Sequence, residues 1–167
     1  MIDKSYKWYV VYTKTQHEKK VHMDIEAQSI QSFLPLVKTV RFWSDRKKYI
    51  HVPMFPNYVF IKLSCREYYR ILNHPSVISF VKFEGSPSSV PEEQINCIRK
   101  ITEHKMECIF NYNIDPGQDV EITYGPLKGF KGNVVRLDKQ NYVVIYLKEI
   151  KQSVYVKIDK DALLICN

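Results

Sequence analysis

Three groups of residues in this 167-residue chain are of types that could do chemistry. Cys97, His104 and Cys108 could share one helix face and ligate a metal, but no fourth ligand stands at sensible spacing, and ordinary helix packing explains the trio better. Asp115 and Asp119 flank a Pro-Gly pair, which marks a turn rather than an acid–base pair. Arg46, Lys47 and Lys48 form a cationic run suited to phosphate oxygens, although a charged hairpin tip is more often simply solvated. No Gly-rich phosphate loop, nucleophile elbow or H-E-x-x-H pattern occurs. No active site is therefore expected, and no cofactor or metal is implied. What remains is binding chemistry.

The totals agree with that. A formal charge of +7 and a pI near 9.1 suggest an anionic partner, nucleic acid being the commonest. Hydrophobic residues at 45% suffice for a packed core, in one ordinary domain or two small ones. Cys65, Cys97, Cys108 and Cys166 lack paired spacing, and the start, MIDKSYKWYVVYTK, carries no export signal. Reduced thiols and a cytoplasmic location are the expectation. No stretch approaches the ~20 apolar residues of a membrane span.

The elements that must position these groups centre on Met54 to Leu63, MFPNYVFIKL. Pro56 fixes its own φ and pushes Phe55 into an extended conformation. Tyr58 to Leu63 then reads as a strand buried on both faces, hence central in a sheet. A Met-Phe-Pro turn is an unfavourable place to hide a ring, so Phe55 is expected at the surface. Ahead of it, Lys7 to Thr13 is a strand, and Thr15 with Glu18 forms a capping box for a helix reaching about Gln31. Phe33 to Trp43 and Tyr49 to Val52 make a hairpin with Ser44-Asp45 at its turn and Arg46–Lys48 at its tip. Cys65 to Asn73 is a short helix stopped by His74-Pro75, Val77 to Phe83 a strand, and Gly85 to Val90 a loop. Pro91, Glu92 and Glu93 open a last helix whose inner side is Ile95, Ile98 and Ile101 or Thr102. The order predicts an α+β sandwich.

The tail changes character. Gln118 to Tyr124, Phe130 to Leu137, Asn141 to Leu147 and Ser153 to Ile158 are short strands at regular spacing without a helix, which predicts a small barrel. Gly129 and Gly132 flank Phe130, where the chain must bend sharply. The expected division is a domain at 1–106, a linker at 107–114 and the barrel domain at 115–167.

Asp119 to Asp138, DVEITYGPLKGFKGNVVRLD, resembles a KOW motif, the start of an SH3-like five-stranded barrel. Trp8-Tyr9 in the first strand, MFPNYVF in the middle and VPEEQI opening the last helix resemble the N-terminal (NGN) α/β sandwich of the NusG family. The order of the two parts is that of NusG-type transcription elongation factors. FPNYVF, VKFEGSPSSVP, KEIKQSV and KTVRFWSDRKK are more similar to the specialised paralogues, RfaH and the UpxY type, than to general NusG; Asn57 stands where general NusG usually has glycine.

The resemblance implies a non-enzymatic transcription antitermination factor that suppresses pausing and termination in specific operons, polysaccharide biosynthesis among them. It implies that Tyr12, Phe55, Pro56, Tyr58 and Phe83 grip the clamp helices of the largest RNA polymerase subunit. Lys14, Gln28 and Asn73 would touch the non-template DNA strand, with Arg46, Lys47 and Lys48 adding phosphate contacts. Asp24 and Ala27 depart from the basic and imidazole side chains of RfaH, so a different DNA element is expected. Tyr68, Tyr69 and Arg70 stand in place of an RfaH run that touches the second large subunit. Ile150 matches a contact to ribosomal protein S10, and Rho is the other partner implied for the barrel, in a monomeric protein. VVIYLKEI and QSVYVKI are strongly β-prone, which favours a permanent barrel over a helical hairpin. The alternatives are a general NusG-type elongation factor, or an RNA- or ribosome-binding KOW protein without a polymerase role.

Overall fold

The structure, a computed structural model, describes residues 4–42, 46–110, 117–137 and 140–166. The chain divides into two compact units, 1–92 and 93–167. In the first are β1 (Lys7–Thr13), α1 (Glu18–Glu26), β2 (Gln31–Phe33), β3 (Leu36–Phe42), β4 (Lys47–Pro53), β5 (Tyr58–Leu63), α2 (Tyr68–Leu72), β6 (Val77–Phe80), β7 (Lys82–Phe83), β8 (Ser86–Pro87) and β9 (Ser89–Val90). The helix α3 (Glu92–Glu103) begins at the end of that unit.

Strands β2, β5, β1 and β6 lie side by side in an antiparallel sheet, with β9 added against β1. The run from Tyr58 to Leu63 is thus an interior strand, as its unbroken apolar character predicts. One face packs Tyr9, Val11, Val59, Ile61 and Leu63 against Val21 and Ile25 of α1 and Ile71 of α2. On the other face Trp8, Val10 and Phe60 are at most 1% exposed. Alternate residues of β1 and β5 are buried on opposite sides of the sheet.

Several local expectations change. Thr15 does not cap α1: His17 holds the N-cap position without a side-chain bond, and the Glu18 carboxylate turns to a distant partner described below. Tertiary hydrogen bonding has overridden the capping box. The helix ends at Glu26 and the chain reverses at Ser29, whose φ is +61°. The segment 85–90 is not a plain loop, because β8 pairs with β7 and β9 with β1. The extended stretch after residue 30 is two strands, broken at Leu34-Pro35. Strand β3 pairs only with β4, from Leu36 opposite Pro53 to Phe42 opposite Lys47. The turn expected at Ser44-Asp45 lies outside the described residues, and Lys47 and Lys48 sit in a strand rather than at a tip. In α3 the spacing holds: Ile95, Ile98 and Ile101 are buried, and so is Cys97.

The second unit holds β10 (Cys108–Phe110), β11 (Asp119–Ile122), β12 (Lys131–Leu137), β13 (Gln140–Leu147), β14 (Gln152–Lys157) and β15 (Leu163–Ile165) in one six-stranded antiparallel sheet, ordered β10-β14-β13-β12-β11-β15. Two of these, β10 and β15, were not expected. Strand β10 falls within the stretch read as a linker, where Cys108, Ile109 and Phe110 pair with Val156, Tyr155 and Val154. Three residues are too few for periodicity to register. Gly129, at φ +82°, supplies the bend before β12. Gly132 has another role. A Cβ there would meet a Val143 methyl at 2.9 Å and the Val144 carbonyl at 3.0 Å, so β13 approaches because the side chain is missing.

Candidate functional site

The turn at Phe55–Asn57 is tied to the end of β1 and the start of α1 by Asn57. Its φ is +69°, the left-handed region that few residues besides Gly and Asn occupy at low cost. Its N–H donates to the Glu18 carboxylate at 2.8 Å, and its carbonyl accepts the Thr13 N–H at 2.8 Å. The Asn57 side-chain amide donates to the Tyr12 hydroxyl at 3.2 Å. Tyr12 and Tyr58 face one another across β1 and β5, their rings 5.4 Å apart and steeply tilted. Burial, reinforced by the neighbouring Tyr12, pushes the Tyr58 hydroxyl pKa up. Both rings are half-buried and Pro56 is exposed, so the three present a shallow apolar surface with hydroxyl tips. Phe83, on β7, is 46% exposed.

Phe55 does not join them at the surface. It is 1% exposed and packs edge-on against Phe60, with ring centroids 5.9 Å apart. The stiff Phe-Pro step aims the ring inward and puts the proline outside. Ile150 is likewise buried, at 7% exposure, in the turn between β13 and β14, so its side chain belongs to packing rather than to an offered contact. Among the residues expected to touch polymerase, the structure pairs Tyr12 with Tyr58 beside the turn that holds exposed Pro56, while Phe55 is buried against Phe60.

The polar residues gather beside the helices. Lys14 is exposed, and its N–H donates to the Ser76 carbonyl at 3.0 Å. Ser76 also meets His17 Nδ1, Oγ to nitrogen 2.9 Å. His74 Nδ1 accepts the Ser76 N–H at 3.1 Å, which leaves its Nε2–H facing Asp24 Oδ2 at 3.1 Å. Gln28 donates back to the Asp24 carbonyl at 2.9 Å, and exposed Asn73 forms the C-cap of α2. His74 therefore welds α1 to the turn after α2, carrying Gln28 and Asn73 on adjoining elements. His17, expected to point outward with Lys19, Lys20 and His22, is half-buried against Ser76, and His74 was legible only as part of a His-Pro helix stop.

Arg46, Lys47 and Lys48 are all exposed on the β3–β4 ribbon. Lys38 Nζ sits 4.2 Å from the Tyr49 ring centroid on the same ribbon, and Lys19 of α1 donates to the His51 carbonyl at 2.9 Å. The charge is uneven along the chain. Residues 1–92 hold 14 Lys and Arg against 8 Asp and Glu, whereas 93–167 hold 11 against 10. Attraction for an anionic partner is thus a property of the first unit. Among the described residues no cluster of His, Cys, Asp and Glu could hold a metal, and no helix is long and apolar enough to cross a membrane.

An α/β unit of this topology followed by a small antiparallel barrel defines a two-part architecture found in transcription factors. The family model described as "Transcription termination factor nusG" matches residues 6–99, and a KOW motif matches residues 116–148. The chain belongs to the NusG family, whose members are transcription factors rather than enzymes. It is similar to the transcription termination/antitermination protein NusG of Rickettsia bellii, with 26% identity over 145 residues covering 80% of this chain and 76% of that one. The protein of the same name from Halalkalibacterium halodurans is 27% identical over 157 residues, covering 82% and 86%. A solved structure, "Domain interaction in Thermotoga maritima NusG", shares the fold at a TM-score of 0.56 and 22% identity, covering 98% of each chain.

Proposed function

We propose that this NusG-type termination/antitermination factor binds the clamp helices of the largest RNA polymerase subunit through Tyr12, Pro56, Tyr58 and Phe83, Phe55 being buried against Phe60. The observation that carries this is the Tyr12–Tyr58 pair, held half-exposed by Asn57 at the end of a rigid sheet. Amphipathic rings fixed in this way lose little entropy on binding and serve as anchors for a helix pair. Lys14, Gln28 and Asn73 contact the non-template DNA strand, and Arg46, Lys47 and Lys48 add phosphate contacts. The factor bridges clamp and upstream bubble, disfavours clamp opening, and lets polymerase pass pauses and terminators.

The chain acts as a specialised paralogue of the UpxY and RfaH kind, confined to a few operons by a recruiting DNA element. Asn57 supports this, since it meets the left-handed backbone of the turn without glycine and adds a bond to Tyr12. The protein works in the cytoplasm, and the barrel, with β10 as one of its strands, recruits ribosomal protein S10 or Rho through positions other than Ile150. The test is capture of core RNA polymerase by wild type and by Tyr58→Ala. Wild-type capture that drops tenfold or more in the variant supports the reading. Equal capture would move the interface elsewhere, and no capture by wild type would favour a KOW protein acting on RNA or ribosome alone.

A further inference from the structure

We propose that Tyr69, flanked by Arg66 and Arg70, is a stacking platform for an unpaired nucleic-acid base, extending the face formed by Lys14, Gln28 and Asn73. Tyr69 is 70% exposed, more than any other large apolar side chain among the described residues. It is nevertheless well anchored. Its ring meets Tyr68 edge-on at 5.1 Å, and Tyr68 in turn stacks on Phe80 at 4.7 Å with the planes only 25° apart. Phe80 is 2% exposed in the core of the first unit, and neighbouring Ile71 of α2 is 1% exposed. An aromatic side chain that is outside the core yet backed by it offers a flat face at little ordering cost.

The surroundings specify the ligand class. Asn73 follows Tyr69 by four residues and closes a helical turn on it, its N–H donating to the Tyr69 carbonyl at 3.0 Å, while Arg66 lies in the turn just before α2 and Arg70 is the next residue of the helix. Arg66, Arg70 and Asn73 are all exposed. No carboxylate engages either guanidinium among the described residues. The acid between them, Glu67, is committed to the N–H and hydroxyl of Ser64 at 3.0 and 2.6 Å and to the Tyr6 hydroxyl at 2.9 Å. Two exposed guanidinium groups on the same short segment as an exposed ring suit a phosphate–base–phosphate step of a single strand. A duplex hides its base faces and could use only the charges.

This deepens the proposed non-template contact and rests on it, but it can be read without polymerase. The full-length chain is titrated into fluorescein-labelled 12-nucleotide oligo(dT), oligo(rU) and a duplex of equal length at low salt, with anisotropy as the readout. Wild type is expected to bind a single strand more tightly than the duplex. Tyr69→Ala should weaken single-strand binding about 5- to 100-fold, and Tyr69→Trp should retain it. Arg66→Gln and Arg70→Gln should each flatten the salt dependence by about one phosphate contact. Comparison of the dT and rU arms identifies DNA or RNA as the strand. Single-strand binding unchanged in Tyr69→Ala, or absent from wild type, overturns the platform. If Tyr69→Ala spares the oligonucleotides and instead loses polymerase capture, the patch is a protein contact. Tyr58→Ala should do the reverse of the platform variant, losing polymerase and keeping the strand, so the two readings fail separately.

Discussion

The backbone N–H of Asn57 donates to the Glu18 carboxylate at 2.8 Å, so the first residue of a helix holds a turn 39 positions further along the chain. Glu18 is only 5% exposed. Replacing it with Ala leaves the Asn57 donor without its acceptor in a half-buried site, which costs about 1–3 kcal/mol. Urea denaturation should show that loss for Glu18→Ala. Glu18→Gln keeps an acceptor oxygen and is expected to lose less.

Asn57 itself separates backbone from side-chain effects. Its φ of +69° costs an ordinary L-residue about 1–2 kcal/mol. Asn57→Gly should therefore melt close to wild type and lose only the Tyr12 bond, whereas Asn57→Val should fall several degrees lower. Thermal unfolding of the two variants side by side is the measurement.

Phe55 and Tyr58 are three residues apart and should behave oppositely. Phe55→Ala empties a buried site against Phe60, and losses of about 3–5 kcal/mol are typical for such a change. Tyr58→Ala removes a half-exposed ring and should cost less stability while weakening polymerase capture tenfold or more. Denaturation midpoints and capture assays on both variants will sort them.

Alkaline pH should weaken the fold. Burial pushes the Cys97 and Cys108 thiols from an ordinary value of 9.0 up to about 12. The folded chain keeps both protons over that interval, whereas the unfolded chain releases them near the ordinary value. Their contribution is thus intact below about pH 9 and falls as pH rises towards 12. Urea midpoints at pH 7, 9 and 10.5 should decline above 9, and Cys97→Ala should flatten the decline. The same protonation makes both thiols slow towards maleimide at pH 7 in the native state, compared with the denatured one.

The long elements were legible because their patterns were strong. The ends of β1 and β5 matched their β-branched and aromatic runs residue for residue, and α3 followed its Ile95–Ile98–Ile101 spacing. The short strands β9, β10 and β15 exist through pairing with distant partners, which local composition does not encode, and β8 is a two-residue strand folded back on its neighbour β7. At the site, Tyr12 and Tyr58 were singled out by the family resemblance rather than by any local pattern, and the register of β1 and β5 sets them opposite one another. Phe55 was misjudged because a proline step says that the chain turns, not which way the preceding ring points. The bond from Glu18 to Asn57 was hidden behind a local capping pattern that fitted equally well. His74 had no signal beyond its proline, since its partner Asp24 lies 50 residues earlier.

The burial of Phe55 against Phe60, three residues before half-exposed Tyr58, also bears on genetics. A library scored by reporter read-through counts whatever lowers the amount of working protein, and a few kcal/mol is enough to change cellular abundance several-fold. Positions 55 and 58 would then stand out together, one through degradation of the chain and the other through a lost handshake with its partner. Normalising each clone's signal to its protein level would divide the two, so that a ring buried at 1% exposure is not scored as part of a surface.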